Sequence, residues 1–357
     1  MNTSLLKGKK ILVPGGTGAM GIYLVPELVS MGAEVYVTSR RDLSDSPGVR
    51  YLCGNAHDME FLKKCLDSVK PDAIVDFMNY KTPEFKDRVG CLLSSTSHYL
   101  FLSSYRVFAD ANPLTEQSSR LLDVSSDKEF LATDIYPLAK ARQENVLLSS
   151  NYNNWTIIRP CITYSSERFQ FGCLEANTVC YRSFQNVPVV IPTRMLERRT
   201  TMTWGGDVAK MIARLVLNSA ARTESFNTVT AENHTWREVG QLYQDLIGLK
   251  YKECTIDEYV QVIGEHYYYQ TVYDRMYDRV LDNSKVLKAT GLRQSDFRGL
   301  RDGLALELSK FRENQYYPFL NVPENARMDK YCKVAIDLSE LSAEDRIQYK
   351  EVFDGEK

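Results

Sequence analysis

The stretch Lys10-Ile11-Leu12-Val13-Pro14-Gly15-Gly16-Thr17-Gly18-Ala19-Met20-Gly21 decides the fold. An apolar strand runs straight into glycines at 15, 18 and 21. An amphipathic run follows at once, with Ile22, Leu24, Val25, Leu28 and Val29 on one face. A strand, a glycine turn and a helix in that order build a dinucleotide-binding element. Glycine permits the tight turn and a close backbone approach to a pyrophosphate. The free N–H groups and the dipole at the helix start attract that anion. Gly15, Gly16, Thr17, Gly18, Ala19, Met20 and Gly21 are therefore expected to cradle the diphosphate.

Outward from this element the chain alternates strand and helix up to about residue 160. Strand-like runs fall at Ile11–Pro14, Glu34–Thr38, Val49–Cys53, Ala73–Phe77, Tyr99–Ser103 and Thr156–Arg159. They are short and continuously apolar, as strands buried on both faces should be. Helical patterns lie between them at Ala19–Met31, Asp58–Val69, Glu84–Ser94 and Lys128–Ser149. Repeated βα units predict an α/β fold, a Rossmann-type doubly wound parallel sheet. A smaller mixed α/β substrate domain is expected after it. The division expected is 1-165 for the dinucleotide domain with returns at about 200-230, then 166-313 for substrate binding, then a C-terminal extension at 314-357. Within the returns, Thr200–Thr203 leads into Asp207–Leu217, and Ser225–Val229 leads into Thr235–Leu246. Thr235 stands three residues before Glu238, a capping-box spacing. The extension reads as irregular, with one short helix at Ala343–Val352.

With 357 residues, a net charge of -2 and 25% charged residues, the composition is that of a globular protein. The pI of about 6.2 gives no global electrostatic case for nucleic acid. No apolar run is long enough for a membrane helix, and residues 1–10 lack a signal-peptide core, so a cytoplasmic location is expected. The eight cysteines contain no C-x-x-C pair and read as free thiols. The four histidines show no metal-ligand spacing.

Strand two ends in Thr38-Ser39-Arg40-Arg41. An NAD site wants a carboxylate about 20 residues past the glycines. Ser39 stands there instead, and Arg40 and Arg41 can pair with a 2′-phosphate. NADP is favoured over NAD, with solvated loop arginines as the plain alternative. Asn55 and Ala56, after strand three, are placed near the adenine. Phe77, closing strand four, is a further candidate cofactor contact, and Lys81 after it is placed to reach a phosphate or the nicotinamide side.

The chemistry is carried by Tyr136-Pro137-Leu138-Ala139-Lys140. Tyr at i and Lys at i+4 share a helix face. A neighbouring ammonium favours the phenolate and makes tyrosine a usable base. Ser103-Ser104 closes an apolar strand upstream, and a hydroxyl at that sheet edge lies where such folds bind ligands. The glycine loop, Ser104 and the Tyr136/Lys140 pair together are far more specific than any one alone.

In these pieces the sequence resembles the extended short-chain dehydrogenase/reductase superfamily, in its NAD-dependent epimerase/dehydratase (nucleotide-sugar epimerase-like) group. Phe101 to Phe108, Ile158-Arg159-Pro160, Asp207-Val208-Ala209 and Asp282 to Lys285 add to the likeness. A subgroup related to chloroplast stem-loop-binding proteins and bacterial epimerase-like enzymes is closest in pattern. The resemblance implies Ser104, Tyr136 and Lys140 as catalytic residues and a nucleotide sugar as substrate. It implies sugar epimerisation or, as an alternative, reduction of a keto sugar by NADPH. A regulatory or RNA-binding protein on the same fold is a third reading. Dehydration is disfavoured, because Tyr105 and Arg106 stand where a dehydratase carries Asp-Glu. Lys81, Ser104, Tyr105, Thr163 and Arg199 are candidate substrate contacts. A homodimer through the helix carrying Leu138, Val146 and Leu147 is a further expectation, with core packing as the alternative.

Overall fold

The computed structural model describes residues 5–355. They form two compact units. The first runs to Thr163 and takes in Met202–Ala231 and Leu281–Arg298. The second holds Tyr164–Thr201, Glu232–Val280 and the chain from Gly299 onward.

The first unit is a seven-stranded sheet. Its strands are β1 (Lys10–Val13), β2 (Glu34–Ser39), β3 (Val49–Cys53), β4 (Ala73–Asp76), β5 (His98–Leu102), β6 (Trp155–Arg159) and β7 (Glu224–Asn227). The order across it is β7-β6-β5-β4-β1-β2-β3, and every pairing is parallel. The order reverses between β1 and β4, the switch point where such sheets bind ligands at the strands' carboxyl ends. Two cores form on the two faces. One gathers Val13, Val35, Leu100 and Ile158 with Leu24 and Leu28 of α1 (Gly21–Ser30) and Ile212 of the Gly205–Leu215 helix. The other gathers Ile74, Tyr99, Phe101 and Ile157 with Leu66 of α2 (Met59–Val69) and Phe85 and Leu92 of α3 (Thr82–Ser94). Burial on both faces explains why the central strands β4, β5 and β6 read as nearly unbroken apolar runs.

One predicted helix is corrected. The pattern at Lys128–Ser149 forms two helices, Lys128–Ala132 and Tyr136–Leu148, with Ile135 extended between them. Pro137 lacks an N–H and its ring would clash with the carbonyl four residues back in a continuous helix, so it is accommodated only in the first turn of a helix that starts afresh at Tyr136. Leu138 and Leu147 are fully buried and Val146 packs with the second core, so these positions serve the monomer's interior.

In the second unit, Val189–Pro192 pairs in parallel with Tyr251–Cys254, and Arg199–Thr200 pairs antiparallel with His234–Thr235. The run expected as one strand at Thr200–Thr203 is thus two shorter strands, Arg199–Thr200 and Met202–Trp204, split between the units. The capping box at Thr235 and Glu238 forms and starts the Trp236–Ile247 helix. In the C-terminal extension the expected short helix forms at Ala343–Asp354, and a second helix, Val322–Cys332, stands where irregular chain was expected. Asp329 anchors it. Its carboxylate takes a 2.6 Å ion pair from fully buried Arg182 and hydrogen bonds from Tyr349 Oη and Ile336 N. All eight cysteines are free thiols.

His98 opens β5 at 0% exposure. Its Nδ1 accepts from Leu217 N and its Nε2 donates to Thr156 Oγ1, because Thr156 spends its own proton on Ala221 O. The ring is neutral, and burial pushes its pKa down to about 4. Between about pH 6.5 and 4 the unfolded chain binds this proton and the folded chain does not. Stability is therefore lost as pH falls through that window, by about 3 kcal/mol from this group. Denaturant unfolding at pH 7 and pH 4.5 should show the loss, and His98→Gln should flatten that part of the pH dependence.

Candidate active site

The glycine loop is shaped by contact as much as by conformation. Gly15 sits at φ +71°, and its N–H donates to Thr38 Oγ1 at 3.1 Å. A Cβ on Gly21 would stand 2.1 Å from Gly16 O, so only glycine lets α1 start against the loop. At Gly18 the nearest atom to a Cβ is 3.9 Å away, which leaves open space on the side an anion would enter. The N-cap of α1, Met20, makes no side-chain capping bond, so the helix start offers its dipole and backbone donors to a ligand. This cradle fits a dinucleotide diphosphate.

Beside it lies a cavity of about 250 Å³ lined by Gly15, Thr17, Thr38, Ser39, Arg40, Gly54, Asn55, Ala56, His57 and Met78. The structure separates the two candidate arginines. Arg40 lines this cavity, whereas Arg41 lines a second one of about 570 Å³ against α1. Ser39 is buried and its Oγ accepts from Arg41 N. Asn55 Oδ1 accepts from His57 N, and the His57 ring meets Glu84 at 2.6 Å.

At the carboxyl end of β5, Ser104 Oγ accepts from Arg106 N at 3.2 Å. The Ser104 proton is thereby directed elsewhere. Tyr136 is half-buried at the first turn of its helix. The Lys140 ammonium lies 4.9 Å over the Phe101 ring and 5.8 Å over the Tyr136 ring. Lys140 is 1% exposed, and its Nζ has no hydrogen-bond partner among the described residues. Burial lowers its pKa to about 8, against the pull of Asp76 and Glu144. An orphaned buried ammonium beside a tyrosine and a diphosphate cradle fits a ribose hydroxyl of a bound dinucleotide as its missing partner.

Three residues that the sequence reading passed over hold this arrangement. Glu144, one helical turn after Lys140, is fully buried and accepts from Ser103 Oγ at 2.6 Å. It also takes Arg159 Nε and Nη2 at 2.7 and 2.8 Å, and Arg120 Nη1 at 3.2 Å. Asp134, two residues before Tyr136, accepts from Thr82 N and Oγ1 at the start of α3 and from Arg142. Asp76 ends β4 and is buried. Only its setting, a carboxylate closing an apolar strand, hinted at it.

The other candidates are scattered. Phe77 is half-buried after β4. Lys81 is exposed at the N-cap of α3. Tyr105 is buried, and its N–H donates to Pro160 O. Thr163 is buried with its Oγ1 on Cys161 O. Arg199 belongs to the second unit, where its guanidinium is held by Asn233 at 2.5 Å and 3.1 Å. Arg106 is half-buried with its guanidinium 5.3 Å over the Tyr136 ring.

Known structures share this architecture. A putative epimerase from Burkholderia cenocepacia superposes with a TM-score of 0.65 at 18% identity, over 86% of this chain and 99% of its own. UDP-glucose 4-epimerase of Thermotoga maritima, solved with UDP-glucose, gives 0.62 at 16% over 86% and 100%. MoeE5, solved with UDP-glucuronic acid and NAD, gives 0.64 at 17% over 85% and 99%. The chain has the fold of the NAD-dependent epimerases. Among curated proteins, chloroplast stem-loop binding protein of 41 kDa b from Arabidopsis thaliana is 25% identical over 238 residues, 61% of this chain. The match spans 58% of that relative's length. No protein-family model matches. Among the described residues no helix is long and apolar enough to cross a membrane.

Removing the Glu144 carboxylate leaves Arg159 buried without its partner. Glu144→Ala should cost about 3–5 kcal/mol in denaturant unfolding.

Proposed function

We propose that this chain is an NAD(P)-dependent epimerase acting on a nucleotide sugar. The observation that carries the reading is the buried, unpartnered Lys140 ammonium beside Tyr136, on a sheet edge that also holds Ser104 and the diphosphate cradle. When bound, the dinucleotide supplies the hydride acceptor and donor. The protein's own part is proton transfer and placement. Tyr136 takes the proton of a sugar hydroxyl, the Lys140 charge stabilises the phenolate, and Ser104 donates to the same oxygen. The resulting keto sugar must turn over before it is reduced on its other face and the proton returns.

Arg40 at the adenosine cavity supports NADP over NAD, and with it the reductase alternative, in which the same residues work once and NADPH is consumed. Dehydration finds no acid–base pair after Ser104, because Tyr105 is buried and Arg106 is a cation. The stem-loop-binding relative favours RNA binding as a different function. A net charge of -2 weighs against it.

Tyr136→Phe should lower turnover of nucleotide sugars by at least about 100-fold while keeping dinucleotide affinity. Turnover unchanged in that variant would exclude the mechanism, and salt-dependent RNA binding without sugar turnover would favour the alternative. Arg40→Ala should weaken NADPH about tenfold and leave NADH nearly unchanged, read by nucleotide fluorescence titration.

A further inference from the structure

Asp76 is the last residue of β4 and stands opposite Phe101 across the β4–β5 ladder. Its side chain is 1% exposed. Tyr99 Oη donates to one oxygen at 2.9 Å, while Tyr80 Oη and Met78 N donate to the other at 3.3 and 3.0 Å. All three donors are neutral. A buried carboxylate held only by neutral donors still needs a counter-charge. Burial pushes the Asp76 carboxyl up, and the cation that opposes this is Lys140, whose ammonium lies over the ring of the ladder partner Phe101 and has no hydrogen-bond partner among the described residues.

The other groups around Lys140 do not substitute for Asp76. Glu144, on the same helix, is already neutralised by Arg159 and Arg120. From β5 come Tyr99 and the apolar ring of Phe101, and from the lysine's own helix comes Tyr136. Arg88 of α3 stacks 4.4 Å over Tyr80 and pairs with Glu84. Among the described residues, Asp76 is thus the one carboxylate acting on Lys140 that no arginine pairs with.

We propose that Asp76 is a positioning residue for Lys140: its tyrosine-held carboxylate is the fixed counter-charge that keeps the buried ammonium protonated at neutral pH, available to the dinucleotide ribose and to Tyr136. This rests on the reading of the Tyr136/Lys140 pair given above. Burial alone discharges a lysine, and the Lys140 pKa of about 8 leaves little margin. The function of the ammonium is lost as pH rises through its titration. Without Asp76 that loss moves down into the neutral range.

The test follows the lysine directly. In protein carrying ¹³Cε-lysine, the Lys140 resonance is assigned by its absence in Lys140→Met and titrated by NMR. Its midpoint should fall by about one unit or more in Asp76→Asn, which keeps shape and acceptor but not charge. Asp76→Glu should restore it. Tyr99→Phe, which removes a donor from the carboxylate, should give a smaller shift the same way, and it carries the test should Asp76→Asn not fold. A Lys140 midpoint unmoved in Asp76→Asn, or in Tyr99→Phe where that variant stands in, overturns the proposal, as does an equal shift in Asn and Glu variants. NADH and NADPH fluorescence titrations on the same samples separate the two levels. Dinucleotide bound with an unmoved midpoint removes only the pairing. No dinucleotide bound by the wild type removes the reading of the site, and with it the purpose given to the pair.

Discussion

The buried bonds of Glu144 tie the site to the sheet. One carboxylate on the Tyr136–Leu148 helix binds Ser103, the residue before Ser104, and Arg159 at the end of β6. Helix, β5 and β6 meet at that point, so the positions of Ser104, Tyr136 and Lys140 are set by a single ionised network. A buried pair of this kind adds little net stability over a well-packed apolar contact. What it adds is geometry, because the bidentate guanidinium accepts few other arrangements of the helix against the strands. Asp134 performs the complementary task at the helix start, where Pro137 forbids a continuous helix and the chain must be held by Thr82 and Arg142 instead.

That anchoring explains how an ammonium can be placed in a largely apolar setting. Lys140 is surrounded by aromatic faces, and burial weakens its charged state. Two carboxylates, Asp76 and Glu144, oppose this, but they are not equivalent. Glu144 is bound up with arginines and mainly fixes position. Asp76 is bound by phenols and mainly supplies charge. The division separates where the lysine sits from whether it is protonated, and the two properties rest on different elements of the sheet.

Much of the first unit was legible in the order of residues. Strands buried on both faces announce themselves as unbroken apolar runs, and the glycine loop marks β1 and α1 within one or two residues of their observed bounds. The i, i+4 spacing of Tyr136 and Lys140 is a local signal and needs no tertiary information. Their supporting carboxylates were not legible, because Tyr99 for Asp76, and Ser103 and Arg159 for Glu144, are brought near only by the folded sheet. The same reason hid the first of the C-terminal helices. Val322–Cys332 shows no strong apolar face, and what fixes it is Arg182, 147 residues earlier in the chain, reaching Asp329.

The two arginines after β2 show how far such reading goes. Side by side in sequence, Arg40 and Arg41 looked interchangeable as phosphate ligands. Successive residues leaving a strand point to opposite sides, and the structure puts Arg40 on the cavity shared with the glycine loop and Asn55, and Arg41 on the cavity beside α1. Ser39 strengthens the split, since its hydroxyl is committed to the Arg41 amide and holds the turn. A cofactor phosphate in the adenosine cavity would therefore meet one guanidinium. In the role proposed for it, a single exposed arginine would tilt the balance between the two dinucleotides only modestly, because a solvated guanidinium is a weak electrostatic partner.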